Sequence, residues 1–102
     1  MKHSMKLLES PFERIKNGSK TVEFRLYDEK RRLINIGDTI EFSKLPDLTE
    51  KITVKVTDLY KEKTFKELFQ KLNMENAEKM YSIYSPEQEA EFGVIGIKIE
   101  LI

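Results

Sequence analysis

Apolar and polar residues alternate near the start, the middle and the end of this chain, and this period constrains the fold more than any other feature. The clearest stretch covers residues 95–101, where Ile95, Ile97, Ile99 and Leu101 alternate with smaller or charged residues. Successive side chains of a β-strand point to opposite faces. The pattern therefore predicts a last strand that turns these four residues inward and Gly96, Lys98 and Glu100 outward.

The same period predicts a strand over residues 21–26, with Val22, Phe24 and Leu26 facing inward. Thr21, Glu23 and Arg25 then face outward. A further strand covers residues 52–57, and its frame slips at Asp58, which predicts a bulge or a strand end there. A shorter strand, 39–42, follows the turn at 35–38, and residues 5–8 form a weaker first strand.

Helix starts lie between these strands. Ser10, Thr64 and Ser85 each precede Glu or Gln by three residues, the pattern of a capping box. Pro11 and Pro86 suit the first helical position. Gly18 is expected to end the first helix after two turns. A further helix is predicted near Glu75, with Asn73 as its cap.

These elements predict an α+β fold in one domain spanning residues 1–102. The chain has the size of a single domain, and no repeat or Pro/Gly/Ser linker divides it. Strands that are close in sequence favour antiparallel pairing. We therefore expect a small, partly closed β-barrel of five or six mostly antiparallel strands, flanked by two or three short helices.

Composition excludes several classes of protein. The chain has no cysteine, which excludes disulfides and thiolate metal sites and is typical of a cytoplasmic protein. No apolar run is long enough to span a membrane, and the charged N-terminus does not resemble a signal peptide. His3, the only histidine, is expected in a frayed terminus, so we predict no metal and no cofactor. Lys and Arg number 18, as do Asp and Glu, which argues against a protein that coats nucleic acid but allows a local basic cleft.

One stretch concentrates the candidate chemistry: Gly18-Ser19-Lys20-Thr21-Val22-Glu23-Phe24-Arg25. Arg offers a planar donor fork to phosphate or a base edge, and Glu accepts hydrogen bonds from amines or moves protons. Lys binds phosphate or acts as a base or nucleophile when it is desolvated. Lys20 lies on the opposite parity from Glu23, so the two meet only if Lys20 precedes the pleated strand. A solvated strand face with cross-strand ion pairs is the structural alternative.

This stretch resembles the G-x-K-x-x-E-x-R signature of the ASCH domain family. Ile36-Gly37-Asp38-Thr39-Ile40-Glu41-Phe42 is similar to the strand entry of PUA-like barrels, and the segment from Tyr84 through Ile97 is similar to the family's closing helix and last strand. The resemblance spans nearly the whole chain and implies a stand-alone, PUA-like ASCH domain. It also implies a cleft that binds RNA or a modified nucleoside, lined by Gly18, Ser19, Lys20, Thr21, Glu23 and Arg25.

The resemblance also implies an alternative activity. Some small members are amidohydrolases that remove the acetyl group of N4-acetylcytidine, using the motif lysine and a threonine two residues before the motif arginine. Here Lys20 matches the lysine, whereas Glu23 occupies the threonine's place. In an enzyme, Lys20 and Glu23 would be the catalytic residues, and Glu67, Glu75 and Glu87 remain open as a second acid. A protein-interaction module without nucleic-acid activity is the third reading.

Two further features have alternative readings. The basic run Lys30-Arg31-Arg32 is either a solvated turn or a rim that meets a phosphate backbone. Tyr81 and Tyr84 share a helical face, which is more typical of core packing than of a platform for an unstacked base.

Overall fold

The computed structural model describes residues 1–102. The five strands are β1 (Lys2–Leu7), β2 (Val22–Leu26), β3 (Thr39–Lys44), β4 (Lys51–Glu62) and β5 (Val94–Leu101). The three α-helices are α1 (Glu9–Lys16), α2 (Phe65–Lys71) and α3 (Pro86–Phe92), and two 3-10 segments cover Arg31–Leu33 and Ala77–Ser82.

The strands form one sheet in the order β1-β3-β4-β5-β2. β1 and β3 pair in parallel, with Lys2 opposite Thr39, and β3 and β4 pair antiparallel, with Ile40 opposite Val54. The expected antiparallel pairing of the mid-chain strands is thus confirmed. α1, β2 and a 3-10 segment lie between β1 and β3 in sequence, a connection long enough for parallel neighbours.

The fold divides into two compact units. The first contains Met1–Glu23, Ile34–Asp58 and Ile97–Ile102, and the second contains Phe24–Leu33 and Leu59–Gly96.

The core of the first unit combines one face of α1 with its strands. Its buried apolar residues are Met5, Leu7, Phe12, Ile15, Ile34, Ile40, Phe42, Val54, Val56, Ile97 and Ile99. Outside this core, Glu50 forms ion pairs with Lys16, at 2.6 Å, and with Lys44, at 2.9 Å. Hydrogen bonds from these two ammonium groups lower the pKa of Glu50 to about 2.

Asp38 links the start of the chain to the turn before β3 through hydrogen bonds and ion pairs. Its carboxylate pairs with His3 Nε2 at 2.8 Å and with the Met1 ammonium at 3.2 Å, and it accepts a hydrogen bond from the Asn35 N–H at 3.0 Å. The His3 hydrogen bond is the main reason that the pKa of Asp38 falls to about 2, and the Asn35 N–H adds to it. The prediction that His3 lies in a frayed terminus is wrong, because its side chain is only 13% exposed.

The second unit has an aromatic core. Phe24 and Phe69 have ring centres 4.5 Å apart, and Phe65 stacks on Tyr84 at 5.8 Å and meets the edge of Tyr81 at 6.3 Å. These contacts support the core-packing reading for the half-buried Tyr84, whereas Tyr81 is 38% exposed. The remaining buried apolar residues are Leu26, Leu68, Met80, Val94 and Ile95.

Glu89 is a buried carboxylate in this second unit. It accepts hydrogen bonds from the Phe65 N–H at 2.8 Å and from the Tyr81 hydroxyl at 2.7 Å. The bond to the carboxylate raises the pKa of Tyr81 to about 12. Glu89 therefore ties α3 to the start of α2 and to the Ala77–Ser82 segment.

The helix starts are confirmed at two positions and wrong at a third. Thr64 caps α2 by accepting from the Glu67 N–H, and Ser85 forms the complete capping box with Gln88. Ser10, in contrast, lies inside α1, whose cap position is Leu8 without a side-chain hydrogen bond. Pro11 is tolerated there because first-turn N–H groups have no helical partner.

One other predicted helix needs correction, and of the two alternatives at Asp58 the strand end is wrong. The helix expected near Glu75 is the 3-10 segment Ala77–Ser82, with left-handed Asn76 rather than Asn73 at its cap position. β4 continues past the frame slip to Glu62, although its alternation of exposure is lost from Thr57 to Tyr60. In β5, residues 94–97 are all buried, whereas Leu101 is 44% exposed instead of facing inward.

Candidate functional site

The loop between α1 and β2 folds back on the end of the helix. Gly18 has a φ of +85°, which glycine adopts without strain. The Lys20 N–H then donates to the Arg14 carbonyl at 3.0 Å, and the Ser19 hydroxyl donates to the same oxygen at 3.3 Å. The Ser19 N–H donates to Asn17 Oδ1 at 2.8 Å. These bonds fix the backbone from which the Lys20 side chain extends.

Lys20 and Glu23 form an ion pair in the first unit. Lys20 Nζ lies 3.4 Å from Glu23 Oε1, and the two side chains are 16% and 7% exposed. β2 begins at Val22, so Lys20 precedes the pleated strand. This position removes the parity conflict that a regular strand would impose.

Glu23 does not lie on a solvated strand face, although its parity predicts one. The residue is 5% exposed, in a strand whose Phe24 and Leu26 are buried as well. Thr21, the residue before β2, is exposed, and its carbonyl accepts the Ile99 N–H at 2.9 Å. The start of β2 is thus anchored to β5 and carries a buried carboxylate.

An ion pair between a buried carboxylate and a half-buried ammonium has definite electrostatic consequences. Removing a carboxylate and an ammonium from water is costly, and each must find compensating partners in the protein. Both Lys20 and Glu23 take part in interactions beyond their mutual contact. The pair therefore presents a fixed cation beside a fixed hydrogen-bond acceptor, which suits a ligand that carries both an acceptor and an amine.

The other residues of the motif lie in different environments. Gly18 and Ser19 form the loop, and an added Cβ on Gly18 would meet no atom within 4 Å. The positive φ rather than crowding favours glycine there. Arg25 belongs to the second unit, where it is half-buried and engaged in interactions.

Three glutamates are candidates from the sequence for the second acidic residue of an enzyme. In the structure all three are exposed. Glu67 lies in α2, Glu87 lies in α3, and Glu75 precedes the Ala77–Ser82 segment. The buried carboxylate in this part of the chain is Glu89, which sequence reasoning missed. No sequence signal distinguishes it, because α3 carries acidic residues at Glu87, Glu89 and Glu91 alike.

The basic run Lys30-Arg31-Arg32 is not a uniformly solvated turn. Lys30 is exposed, whereas the Arg31 side chain is 16% exposed and pairs with Asp28 at 3.2 Å. The guanidinium of Arg32 lies over the Tyr27 ring. Composition alone did not indicate this difference between neighbouring arginines.

Two structural features bear on ligands and membranes. No group of three or more His, Cys, Asp or Glu side chains is placed to hold a metal ion. No helix combines the length and the apolar character needed to cross a bilayer.

Comparisons with solved structures show close relatives over the whole chain. The crystal structure of hypothetical protein PH0355 is 37% identical, covers 100% of both chains and has a TM-score of 0.85. The solution NMR structure of protein PF0455 from Pyrococcus furiosus is 33% identical, covers 100% of this chain and 98% of its own, and has a TM-score of 0.75. No curated protein matches the chain.

A more distant structure carries a family name. The crystal structure of the ZmASCH S128A mutant protein from Zymomonas mobilis is 16% identical, covers 95% of this chain and 66% of its own, and has a TM-score of 0.65. At this identity the likeness concerns the fold, and it confirms the predicted α+β fold class. The sequence model of the ASCH domain matches residues 5–102. The chain therefore belongs to the ASCH domain family.

Proposed function

We propose that this domain binds RNA or a nucleotide through the loop before β2, with Lys20 as the principal contact. ASCH domains are generally RNA-binding or hydrolase-like. The observation that carries the proposal is the ion pair of half-buried Lys20 with buried Glu23, whose Nζ and Oε1 are 3.4 Å apart. A pair this well shielded from water interacts more strongly with a ligand than two solvated charges do.

Each residue has a distinct role in this proposal. The Lys20 ammonium donates to a phosphate oxygen or a base carbonyl, and Glu23 orients that ammonium and accepts from an exocyclic amine. Arg25 supplies a planar donor fork. Gly18, Ser19 and Thr21 contribute the backbone of the loop, which is open beside Gly18.

The test is RNA binding by Lys20→Ala and Arg25→Ala, measured by fluorescence anisotropy on short single-stranded RNAs. Each substitution is expected to weaken binding by about tenfold or more, because a charge-assisted hydrogen bond is lost. Lys55→Ala is the matched control, since Lys55 is exposed on β4 and makes no ion pair. Binding by Lys20→Ala that equals the wild type would refute the proposal.

A metal-free amidohydrolase of an acylated nucleoside is the second candidate. The contact between the Lys20 amine and the Glu23 carboxylate favours it, because proton transfer requires an acid and a base within reach of each other. In such a hydrolysis, water adds to the acetyl carbonyl, the C–N bond breaks, and the proton passes to the departing amine. The products are acetate and the free nucleoside.

Mass spectrometry of the purified protein with N4-acetylcytidine separates this candidate from binding alone. An enzyme is expected to release acetate and cytidine, and both Lys20→Ala and Glu23→Gln should lose that turnover. Turnover that persists in Lys20→Ala would rule out this mechanism. Burial of Glu23 disfavours the third reading, a protein-interaction module with a solvated charged face.

A further inference from the structure

Two cations of the second unit converge on one tyrosine ring. Arg32 Cζ lies 4.3 Å from the centre of the Tyr27 ring, and Lys61 Nζ lies 5.1 Å from the same centre. The two charges are therefore separated by no more than the sum of these distances. Arg32 and Lys61 are exposed, and neither side chain forms an ion pair or a hydrogen bond with a carboxylate.

Arg32 and Lys61 differ in this respect from seven other cations of the protein. Ion pairs with carboxylates engage Lys2, Lys16, Lys20, Arg31, Lys44, Lys51 and Lys71. A tyrosine ring attracts cations through its quadrupole, but it carries no net charge and does not neutralise them. Arg32 and Lys61 thus both lie beside Tyr27 without a carboxylate at ion-pair distance.

Two acidic residues near this pair in sequence, Asp28 and Glu62, are engaged elsewhere, and a third, Glu29, is exposed and forms no ion pair. Asp28 accepts from the Arg31 N–H at 3.0 Å and from Arg31 Nη1 at 3.2 Å. Glu62, which follows Lys61 in β4, accepts from Lys71 Nζ at 3.2 Å. Neither carboxylate acts as the counterion of Arg32 or Lys61.

The backbone around the ring is held in place before any ligand binds. The Tyr27 N–H donates to the Gly93 carbonyl at 3.0 Å, and the Arg32 N–H donates to the Asp28 carbonyl at 2.9 Å. A Cβ added to Gly93 would lie 3.2 Å from the Glu62 carbonyl, so β4 passes close to this residue. Such preorganisation reduces the entropy cost of binding.

Lys61 is open to solvent. Lys61 and Lys63 line an open depression on the surface together with Glu62 and Glu67. Arg31, next to Arg32, has a buried Nε without a hydrogen-bond partner.

We propose that Arg32 and Lys61, held by Tyr27, bind a phosphate group. A guanidinium that rests on an aromatic ring keeps its N–H edges available for a bidentate contact with phosphate, and the ammonium adds a second charge. Two converging cations suit a tetrahedral oxyanion with more than one free oxygen better than they suit a single carboxylate. This site does not include the Lys20–Glu23 pair, and it stands whether or not that pair binds a base.

The test is an NMR titration of the protein at low salt, followed at the backbone amides of Arg32, Lys61 and Gly93. The probes are inorganic phosphate, cytidine 5′-monophosphate, a short oligocytidine without terminal phosphates, and cytidine. Saturable shifts with any of the three phosphorylated probes support the site, and the probe that binds tightest identifies a terminal phosphate or a phosphodiester as its target. Cytidine alone is expected to leave these amides unchanged.

Four variants and one control make the titration specific. Arg32→Gln and Lys61→Gln are each expected to weaken phosphate binding by about tenfold. Tyr27→Phe keeps the ring and should bind as the wild type does, whereas Tyr27→Leu should bind more weakly. Lys55→Gln, on the same strand as Lys61 and also unpaired, is expected to have no effect.

Three results would overturn the proposal: no saturable shift with any phosphorylated probe, equal shifts with cytidine, or losses as large in Lys55→Gln as in Lys61→Gln. A different result tests the Lys20 proposal. Phosphate shifts that survive Lys20→Ala, in a protein whose RNA binding does not change, would refute the Lys20 site and leave the phosphate site standing.

Discussion

Glu23 is almost completely shielded from water, so its negative charge depends on the groups around it. Lys20 supplies one of them, at 3.4 Å. Breaking a buried pair from one side leaves the other charge without compensation, which costs more than the pair itself contributes. The site residues therefore also contribute to stability, and binding data on their variants must be read together with unfolding data.

We predict that Glu23→Gln lowers the free energy of unfolding by about 2 kcal/mol, since it leaves the Lys20 ammonium without its carboxylate. Urea denaturation followed by circular dichroism measures the change. Glu100→Gln is the control, because Glu100 is exposed on β5 and unpaired. A loss no larger than that of the control would mean that water compensates Lys20.

The Asp38 carboxylate predicts a pH dependence of stability. Its pKa falls from 3.8 in the unfolded chain to about 2 in the fold, mainly because of the His3 hydrogen bond. A lowered pKa stabilises the fold above the unfolded value, and that contribution disappears as the pH falls towards the folded value. The wild type should therefore lose stability between pH 3.8 and about 2.

Thermal unfolding at neutral pH and at several pH values in this window tests the prediction. Asp38→Asn should be less stable than the wild type at neutral pH. The difference in melting temperature between the two proteins should become smaller as the pH falls. Glu78 is exposed and unpaired, so Glu78→Gln should differ from the wild type by the same amount in melting temperature at every pH. A gap for Asp38→Asn that is independent of pH would contradict the assignment.

At this scale the sequence predicted residue types better than their environments. The motif from Gly18 to Arg25 marked Lys20 and Glu23 but left their contact conditional, and the contact exists because the pleat starts at Val22. Burial of Glu23 was not predictable, since alternation counts it on the polar face. The cation pair at Tyr27 was not predictable either, because Lys61 is distant in sequence from the basic run.

A helix begins at the residue that both local hydrogen bonding and tertiary packing favour. Ser85 precedes both Pro86 and Gln88, and the structure realises the full capping box. Ser10 has a similar sequence pattern, yet α1 starts at Glu9, one residue before it. Phe12 and Ile15, both buried, show that packing of α1 agrees with this earlier start.

The two serines therefore make a matched pair. Ser85→Ala should destabilise the protein by about 1 kcal/mol, because the Gln88 N–H loses its acceptor. Ser10→Ala should leave stability unchanged or raise it slightly, since alanine favours helix interiors. Denaturant midpoints of the two variants measure both effects, and equal losses would mean that Ser10 acts as a cap in solution.

Strand positions were predictable from alternation, whereas their neighbours in the sheet were not. The sequence correctly predicted that β3 and β4 are antiparallel, since a short loop joins them. The parallel pairing of β1 with β3 depends on contacts between residues far apart in sequence. The burial of residues 94–97 on both faces also depends on tertiary packing, because a central strand has neighbours that a pattern does not reveal.

Charge balance distinguishes the whole molecule from proteins that coat nucleic acid. With 18 basic and 18 acidic residues, it can bind a strand only at local sites. For single strands, the logarithm of the binding constant falls with the logarithm of salt concentration with a slope of about −0.7 for each phosphate neutralised.

We therefore predict a shallow salt dependence of RNA binding, with a slope between about −1 and −3. Fluorescence anisotropy from low to moderate sodium chloride concentration measures it. Lys20→Ala and Lys61→Gln should each reduce the slope, whereas Lys55→Gln should not. A slope steeper than about −5 would mean that many more phosphates are neutralised than the two sites provide.

The order of the sheet has a consequence for synthesis on the ribosome. β5 follows the other four strands in sequence, yet it lies between β4 and β2. β2 consequently has no neighbour in the sheet until residues 94–101 have left the exit tunnel. A nascent chain that stops before this segment exposes the edges of both β4 and β2, so the sheet can close only after translation has passed its final strand.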